Sequence, residues 1–503
     1  MALLPISPGL LALSSGLFAL ILFLISPLLS YSRKIPGPIL AKYTRLWYAW
    51  QQYGNNFHWT NVNLHRQKGK IVQIMPGYFT IDDPASHKTI YGHASPWIKG
   101  KFYIAWNVGP DEYHTNLFSA RDPKLHAIMR RKVASMYSMS SLVSYEPYVD
   151  HCVQLLCDKL ESFALSKSSI NLGRWLQFFA FDAVSMVTFG ERLGFLDQGE
   201  DVENLMENLH YDHITLNLLG TFHGLIPLHK LLSGLFASAK VMFFQRFASE
   251  KIQSARQETE DLPEDGPISM LRKFLDVQRK DEKKGMTDWD IAANVGSNIG
   301  AGSDTTAIAL NTIVYYMYRD KHVLERVRAE IASLPARPSF QEVQKLPYLQ
   351  AVIKESLRIQ PGVGTPLWRE VPKGGAVVCG QFFPEGANIG VNGWVVHHNR
   401  EIFGVDADEF RPDRWLDAAP SQLSTMEQTL SPFGFGSRTC IGKNVSLLEI
   451  NKIIPALAKD FDFSLMNEYG VPETRDYVPV TNDWFIKMPH LHAQVTKRKH
   501  SSS

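Results

Sequence analysis

The sequence predicts a mainly α-helical protein with small β-sheets to one side, an α+β fold. Apolar residues recur at helical spacing over five long stretches, 142–163, 287–319, 321–333, 348–359 and 446–461. Patterns typical of strands are short and confined to 70–81 and 376–389. Of the 503 residues 45% are hydrophobic, and the net charge is +2. This composition excludes a disordered chain and gives no sign of a nucleic-acid-binding protein.

The N-terminus predicts a membrane anchor. The first 32 residues carry no charged side chain, and the apolar run 9–29 is long enough to cross a bilayer as one helix. Arg33 and Lys34 follow it, and basic residues there keep the rest of the chain on the cytoplasmic side. We therefore expect an anchor at 1–34, crossing the endoplasmic reticulum membrane once, and one cytoplasmic domain at 35–503. A cleaved signal peptide is the alternative, but a basic segment usually precedes its shorter apolar run.

Two further segments bear on the domain organisation. Residues 35–38 read Ile-Pro-Gly-Pro, which predicts a stiff hinge because proline fixes the backbone and cannot continue a helix. The charged stretch 257–285 contains two prolines and predicts a surface loop with a short helix at 269–278. Neither segment indicates a second globular domain.

One of the four cysteines lies in a motif that predicts its chemistry. Four cysteines are too few for a disulfide scaffold, and Cys152 and Cys157 have no neighbouring histidine cluster for zinc. We expect these two to be buried helix residues. The run 433–442, FGFGSRTCIG, satisfies F-x-x-G-x-R-x-C-x-G at every fixed position. This run resembles the cysteine loop of the cytochrome P450 family, and the resemblance implies the P450 fold with haem b bound through iron to Cys440.

The residue types of this loop suit a haem-thiolate site. A thiolate ligand donates electron density to iron and favours O–O cleavage. Cys440 precedes an apolar helix, whose backbone N–H groups and positive end favour the sulfur anion. The resemblance implies that Phe433 shields the sulfur, that Arg438 binds a haem propionate, and that Ile441 and Gly442 contact the haem.

A second motif, AGSDTT at 301–306, lies within the helix predicted at 287–319. Thr287 and Asp290 have the spacing of a capping box. The resemblance implies that Ala301 contacts the haem and that Thr305 is the alcohol beside the dioxygen site. It implies that Asp304 relays protons from water, and an acid–alcohol pair suits the proton delivery that O–O cleavage requires.

Two further motifs occur in the same order along the chain as in the family. Glu355-x-x-Arg358 and Arg414, within FRPDRW at 410–415, resemble the segments from which the family builds a buried Glu–Arg–Arg triad.

His126-x-x-x-Arg130 occupies the place of the family's Trp-x-x-x-Arg, so this chain departs from the usual pattern at His126. The resemblance implies that His126, Arg130 and Arg369 contact haem propionates. For the first two, the alternative is a solvated basic face of a helix.

The sequence contains no flavin or dinucleotide fingerprint, so electrons must come from another protein. The resemblance implies an NADPH-cytochrome P450 reductase, with NADPH used indirectly. Arg131, Lys132 and Lys443 are expected to form a cationic surface that steers an acidic flavin domain. The alternative for these residues is an ordinary charged surface.

The family's pocket-forming stretches contain mostly apolar and aromatic residues in this chain. They contribute Phe102, Tyr103, Trp106, Phe118, Phe222, Val363 and Trp484. Such a lining predicts a hydrophobic small-molecule substrate. The segment 137–142, YSMSSL, with Glu146 and Pro147 is similar to the fungal pisatin-demethylase-like branch, which implies the oxidation of a fungal secondary metabolite.

The leading prediction is a monooxygenase that inserts one oxygen atom from O2 into a hydrophobic small molecule. The same site could instead catalyse desaturation, oxidative coupling or rearrangement, because the placement of the substrate decides among these outcomes. A membrane-anchored haem protein without turnover, and a membrane protein without haem, are the alternatives from other classes.

Overall fold

The computed structural model describes residues 29–93, 95–107, 114–235, 242–257, 266–475 and 479–499, with 15, 25–27, 109 and 111. Within these residues the chain is mainly helical, with small sheets, as predicted. The helices are α1 (Ile39–Tyr43), α2 (Leu46–Tyr53), α3 (Phe57–Lys68), α4 (Pro84–Tyr91), α5 (Pro123–Val133), α6 (Met139–Val143), α7 (Glu146–Ser166), α8 (Leu172–Phe189), α9 (Phe195–Gln198), α10 (Leu205–Thr221), α11 (Ile226–Leu235), α12 (Met242–Gln257), α13 (Met270–Lys280), α14 (Asp288–Arg319), α15 (Lys321–Ile331), α16 (Phe340–Val343), α17 (Pro347–Ile359), α18 (Gly393–His397), α19 (Arg400–Phe403), α20 (Arg414–Asp417), α21 (Pro420–Thr429) and α22 (Lys443–Asp460).

The strands form one larger sheet and three small ones. They are β1 (Ile71–Met75), β2 (Tyr78–Ile81), β3 (Ile98–Lys99), β4 (Ser169–Asn171), β5 (Arg369–Glu370), β6 (Ala376–Val378), β7 (Gln381–Phe383), β8 (Asn388–Gly390), β9 (Phe461–Met466), β10 (Thr481–Asn482), β11 (Ile486–Lys487) and β12 (His492–Lys497). The larger sheet has the order β1-β2-β8-β5-β3, with β2 and β8 parallel and the other pairs antiparallel. The remaining sheets are β4-β12-β9 and the hairpins β6-β7 and β10-β11.

The core is centred on α14, which packs against α8, α17 and α22. Its start is fixed as predicted, because Thr287 and Asp290 each bind the other's backbone N–H in a capping box. The apolar residues of these helices form one continuous cluster that includes Cys152 and Cys157, so the prediction for both cysteines is confirmed. This packing places Ser303, Asp304 and Thr306 of the AGSDTT motif in the interior of the molecule.

Several predicted boundaries were wrong. The helix predicted at 142–163 is two helices, α6 and α7, and Pro147 lies in the first turn of α7, where its missing N–H removes no hydrogen bond. The stretch 376–389 contains three strands, of which the last joins the larger sheet. The helix predicted from 446 begins at Lys443, directly after the cysteine loop.

The predicted hinge at 35–38 is docked on the larger sheet. Gln73 N–H donates to Pro36 O at 2.8 Å, and the side chain of Ile35 is buried. A Cβ on Gly37 would lie 2.3 Å from Gln73 O, so only glycine permits this approach.

Among the helices within the described ranges, none is both long and apolar enough to span a membrane. Most of the apolar run 9–29, on which the anchor prediction depends, lies outside those ranges.

Candidate active site

The cysteine loop forms a tight turn that ends at the start of α22. Cys440 N–H donates to Phe433 O at 2.8 Å and Thr439 N–H to Gly436 O at 3.1 Å. Gly434 and Gly436 have φ of 76° and 57°, in the left-handed region where other residues are strained. A Cβ on Gly436 would lie 1.8 Å from Tyr91 O. Glycine at 436 therefore lets the loop lie against α4.

Cys440 has exposed surface, although protein atoms surround its thiol densely. Burial raises its pKa, while the backbone N–H groups of Gly442 and Lys443 and the charge of Arg130 act in the opposite direction. The predicted anion-stabilising helix start is therefore present, but burial outweighs it. Coordination to a metal ion deprotonates a thiol outright, so the sulfur is suited to ligation rather than to a free thiolate.

The other predicted residues of the loop hold its shape. Lys443 Nζ lies 5.8 Å from the centre of the Phe433 ring, and Ile441 packs against the main apolar core. A Cβ on Gly442 would lie 3.9 Å from Cys440 Sγ. Gly442 also stands at the N-cap of α22, which aims the first N–H groups of that helix at the sulfur.

The AGSDTT motif reaches the same region from α14. Thr306 Oγ1 donates to Ser446 Oγ at 3.0 Å, which joins α14 to the first turn of α22 beyond the cysteine. Ala301 is exposed and Thr305 is partly exposed, whereas Ser303, Asp304 and Thr306 are buried. Thr305 Oγ1 donates to Ala301 O at 2.7 Å, a local bond that loosens the helix there. A Cβ on Gly300 would meet no atom of another element within 4 Å.

Asp304 faces away from solvent. It is 1% exposed, and Lys487 Nζ lies 2.8 Å from its Oδ2. Gln177 Nε2 donates to its Oδ1 at 2.6 Å. Burial raises the pKa of Asp304, but the charge of Lys487 opposes this most strongly and the net direction is downward. Asp304 is therefore an ionised carboxylate at neutral pH, without direct access to water.

Five basic residues from different segments act on one another beside the cysteine loop. They are the four propionate candidates His126, Arg130, Arg369 and Arg438, together with Lys99. Burial, reinforced by the four cations, lowers the pKa of His126 to about 3. Burial and Arg369 lower the pKa of Arg438 to about 10. Within the described part of the chain, none of the ion pairs involves these five residues.

The hydrogen bonds of these basic residues go mainly to backbone carbonyls. Arg130 donates to Thr439 O at 2.8 Å and Arg438 to Ala120 O at 2.7 Å. Arg369 donates to Trp368 O at 2.9 Å. Burying this much positive charge without carboxylates is costly. The cluster therefore suits a ligand that carries more than one negative charge.

Lys99 was missed by the sequence predictions. It lies on β3, donates to Phe118 O and sits over the rings of Tyr103 and Phe118 at 4.5 and 4.4 Å. Burial, Arg369 and Arg438 lower its pKa well below the usual value. The one feature of the sequence that could have indicated the burial of Lys99 is that it directly follows the apolar pair Trp97-Ile98. Nothing local indicated that it would meet Arg438.

These features fit iron protoporphyrin IX. Cys440 is held at a helix N-terminus, basic side chains that have no carboxylate partner among the described residues lie beside it, and α14 has open space at Gly300. In such a complex Cys440 would be the iron ligand and the basic cluster would bind the propionates. When bound, the haem would supply the activation of dioxygen.

The predicted Glu–Arg–Arg triad is present and buried. Arg358 binds Glu355 through two hydrogen bonds of 2.8 Å, and Arg414 Nε donates to Glu355 Oε1 at 2.9 Å. Arg358 also donates to the carbonyls of His397, Ala407 and Glu409. The triad thereby ties α17 to the irregular segment that precedes the cysteine loop.

Comparison with known proteins decides the family. The model of the family described as "Cytochrome P450" matches residues 37–479. The chain belongs to the cytochrome P450 family. Pisatin demethylase of Fusarium vanettenii is 37% identical over 96% of this chain and 92% of its own length. A cytochrome P450 monooxygenase of Aspergillus terreus is 37% identical over 90% of this chain and 95% of its own length. The cytochrome P450 monooxygenase gsfF of Penicillium aethiopicum is 32% identical over 97% of this chain and 98% of its own length.

The chain is thus an enzyme of the P450 monooxygenase family, with a haem-iron cofactor, dioxygen and a small-molecule substrate. The resemblance to the pisatin-demethylase branch is confirmed. Membership also implies a redox partner that supplies electrons.

Five of the six aromatic residues predicted for the substrate pocket of this P450 come together, and they include Tyr103, which lies 5.3 Å from Phe118. Trp106 lies 4.9 Å from Trp484 and 5.3 Å from Phe118, and Phe102 stacks on Trp484 at 5.4 Å. His213 of α10 lies 5.9 Å from Trp106. Phe222 ends α10, and Val363 forms a bridge with Phe485.

The predicted cationic surface is smaller than expected. Lys132 pairs with Asp290 at 2.6 Å and its side chain is 15% exposed, so it is not available to a partner. Arg131 and Lys443 are exposed. The i, i+1 spacing of Arg131 and Lys132 puts them on different sides of α5, which the sequence argument neglected.

Proposed function

We propose that this P450 is a monooxygenase that inserts one oxygen atom from O2 into a hydrophobic small molecule of fungal secondary metabolism. The observation that carries the proposal is the AGSDTT segment of α14 joined to the cysteine helix through Thr306 and Ser446. This contact brings the part of α14 that carries Asp304 and Thr305 next to the helix that follows Cys440. Relatives from fungi that are named as cytochrome P450 monooxygenases support the type of reaction.

Each group has a defined part in this proposal. Cys440 holds the iron, and Phe433 shields its sulfur. His126, Arg130, Arg369, Arg438 and Lys99 bind the propionates, and His126 does so as a neutral imidazole because its pKa is about 3. Thr305 holds a proton at Oγ1 beside the dioxygen site, and Asp304, a carboxylate that must first take up a proton, is the group through which that proton is replaced.

The substrate is proposed to bind against the aromatic cluster of Phe102, Trp106, Phe118 and Trp484. Stacked and edge-to-face rings of this kind favour an apolar, ring-containing compound. Desaturation, coupling or rearrangement of such a compound is the second candidate, because each needs the same haem site and differs only in how the substrate lies.

NADPH-cytochrome P450 reductase is the proposed source of electrons. Arg131 and Lys443 are exposed, and Arg130, next to Arg131, hydrogen-bonds Thr439 in the cysteine loop. Positive charge at this place would orient an acidic flavin domain toward the thiolate side of the haem.

Attachment to the endoplasmic reticulum membrane, with the catalytic domain in the cytoplasm, is also proposed. Besides the apolar run 9–29, an exposed apolar surface of α2 and α11 supports it. Gln52 of α2 donates to Asn217 of α10 at 2.9 Å, and α11 follows α10 closely, so these segments are neighbours. The exposed apolar residues are Leu46, Trp50 and Tyr53 of α2, Leu225 just before α11, and Leu228 and Leu231 of α11.

The proposal is tested with isotopically labelled dioxygen. The chain would be combined with the reductase in microsomes and supplied with NADPH, ¹⁸O2 and an extract of fungal metabolites, and products read by mass spectrometry. A product that gains one labelled oxygen atom is the expected result. An NADPH-dependent product without label would overturn monooxygenation in favour of the second candidate. No product and no thiolate-type Soret band in the reduced carbon-monoxide spectrum would refute both.

A further inference from the structure

The indole N–H of Trp106 is buried in the aromatic cluster without a hydrogen-bond partner. Trp106 ends the short 3₁₀ helix Lys101–Trp106, and its Nε1 has no acceptor among the described residues. Its ring lies 5.3 Å from Phe118 and 4.9 Å from Trp484, which stands in the turn of the β10-β11 hairpin. Buried indole N–H groups usually have a partner. This donor therefore points to a ligand that accepts a hydrogen bond.

His213 of α10 lies beside the same indole ring. The two ring centres are 5.9 Å apart and the ring planes are tilted by 30°. His213 is 6% exposed, and within the described part of the chain neither of its ring nitrogens takes part in a hydrogen bond. The separation of 3.7 Å between its Nδ1 and Asp304 Oδ2 is too long for one. A second buried polar group next to Trp106 is thus available to a ligand.

The surroundings of His213 decide which of its nitrogens can accept a hydrogen bond. Burial lowers the pKa of His213 to about 4, although the charge of Asp304 opposes this, so the imidazole is neutral at neutral pH. A neutral imidazole has one N–H and one acceptor nitrogen. The carboxylate near Nδ1 favours the tautomer that carries its proton there. Nε2 is therefore the acceptor.

Contacts of the two rings place this pair between the two parts of the haem site. Phe118, which packs against Trp106, also lies under Lys99 Nζ of the basic cluster, 4.4 Å from it. His213 approaches Asp304 of α14 from the other direction. A compound bound to Trp106 and His213 therefore lies next to the AGSDTT segment.

We propose that Trp106 and His213 bind one hydroxyl group on an aromatic ring of the substrate. Trp106 Nε1–H donates to the hydroxyl oxygen, and the hydroxyl donates to His213 Nε2, so a single group satisfies both partners. The charge of Asp304 disfavours a carboxylate here, and a carbonyl or ether oxygen has no proton to donate to His213. The inference names the substrate class, a phenolic aromatic compound, and rests on the proposed monooxygenase function.

The test measures the dissociation constants of three probes from the change in the Soret band of the haem-loaded enzyme. The first probe, 2-naphthol, carries the hydroxyl group, 2-methoxynaphthalene can only accept a hydrogen bond, and naphthalene can do neither. After correction for octanol–water partition, the wild type is expected to bind 2-naphthol at least about tenfold more tightly than naphthalene. Equal corrected affinities would overturn the inference without any variant.

Two variants separate the donor from the acceptor. Trp106→Phe keeps a ring and removes the N–H, and His213→Leu removes the acceptor. Each should reduce the preference for 2-naphthol over naphthalene by about tenfold, because each removes one hydrogen bond, and His213→Gln, whose amide oxygen accepts, should restore it. The preference for 2-methoxynaphthalene over naphthalene should fall in Trp106→Phe but stay unchanged in His213→Leu, which a merely structural effect would not reproduce.

Trp175→Phe is the matched control, since Trp175 packs on Phe163 and Phe178 outside the aromatic cluster; its preferences should equal those of the wild type. Unchanged preferences in Trp106→Phe and His213→Leu, with an intact thiolate-type carbon-monoxide spectrum, would overturn this inference and leave the proposed function standing. A wild type without that spectrum would overturn the proposed function itself. If either variant loses haem, the corrected affinities of the wild type decide.

Discussion

Replacing Glu355 by glutamine removes the negative charge of the buried triad while keeping its shape. Glu355 is 0% exposed and accepts five hydrogen bonds, from Arg358, Arg414, Trp415 and the backbone of Arg411. In the variant, Arg358 loses its counter-charge, Arg414 keeps only the carboxylate of Asp406 at 3.2 Å, and an amide N–H faces the hydrogen-bond donors that Glu355 accepted from. Removing one partner of a buried pair costs about 3–5 kcal/mol of unfolding free energy.

The assay is thermal unfolding of the haem-loaded protein, followed by circular dichroism and by the thiolate-type Soret band. A domain of this length unfolds with an entropy of about 1 kcal/mol/K, so the midpoint should fall by about 3–5 °C. Glu427→Gln is the matched control. Glu427 pairs at 2.8 Å with Lys354, the neighbour of Glu355 on α17, but the Glu427 side chain is 51% exposed. An exposed pair contributes about 0–1 kcal/mol.

The dependence on pH gives the sharper test. Although burial acts in the opposite direction, Arg358 and Arg414 hold the pKa of Glu355 below its ordinary value in the folded state. A lowered folded-state pKa gives stability that is complete above the pKa of the unfolded chain, roughly 4.3. That stability is lost as pH falls through the folded pKa. The wild type and Glu355→Gln should therefore differ most at neutral pH and converge in acid. An equal difference at all pH values would refute the reasoning.

Three other predictions concern the cysteine loop and the basic cluster. Cys440→Ser should abolish the thiolate-type Soret band of the reduced carbon-monoxide complex, since a hydroxyl replaces the sulfur; a retained band would exclude Cys440 as the ligand. Gly436→Ala should destabilise the fold by at least about 1–2 kcal/mol from its φ alone, and further through the clash with Tyr91 O; urea unfolding that matches the wild type would contradict this. Lys99→Met and Arg438→Leu should each weaken haem retention, measured as transfer of haem to apomyoglobin. High salt should speed haem loss from the wild type less than it would if the propionates were held by an exposed ion pair, because the cluster is buried. Haem retention equal to that of the wild type in both variants would show that the cluster does not bind the propionates.

The fold class and the iron ligand followed from local patterns. A helix such as α14 is specified by its own periodicity and by the capping box of Thr287 and Asp290. The loop around Cys440 needs particular residue types at fixed spacing for a tight turn. Information of this kind lies within a few turns of chain, so the sequence by itself determined it.

Boundaries were less predictable, because competing local signals decide them. Pro147 lies within a stretch whose apolar spacing predicts one continuous helix. Only the folded chain shows that Pro147 lies in the first turn of a separate helix, α7. Likewise, the strand pattern of 376–389 does not say that β8 leaves the hairpin to pair with β2 in parallel.

Only the tertiary structure decided which charged groups meet. Lys99 and Arg438 are far apart in the chain yet share one buried cluster, and Lys487 pairs with Asp304 across the same interior. Lys132 was expected at the surface and instead pairs with Asp290. Periodicity reports whether a position faces the core, whereas the partner of a buried charge depends on how distant elements pack. In this P450 the sequence determined the haem-thiolate chemistry, and the packing of α14 against the C-terminal hairpin determined the surroundings of its acid.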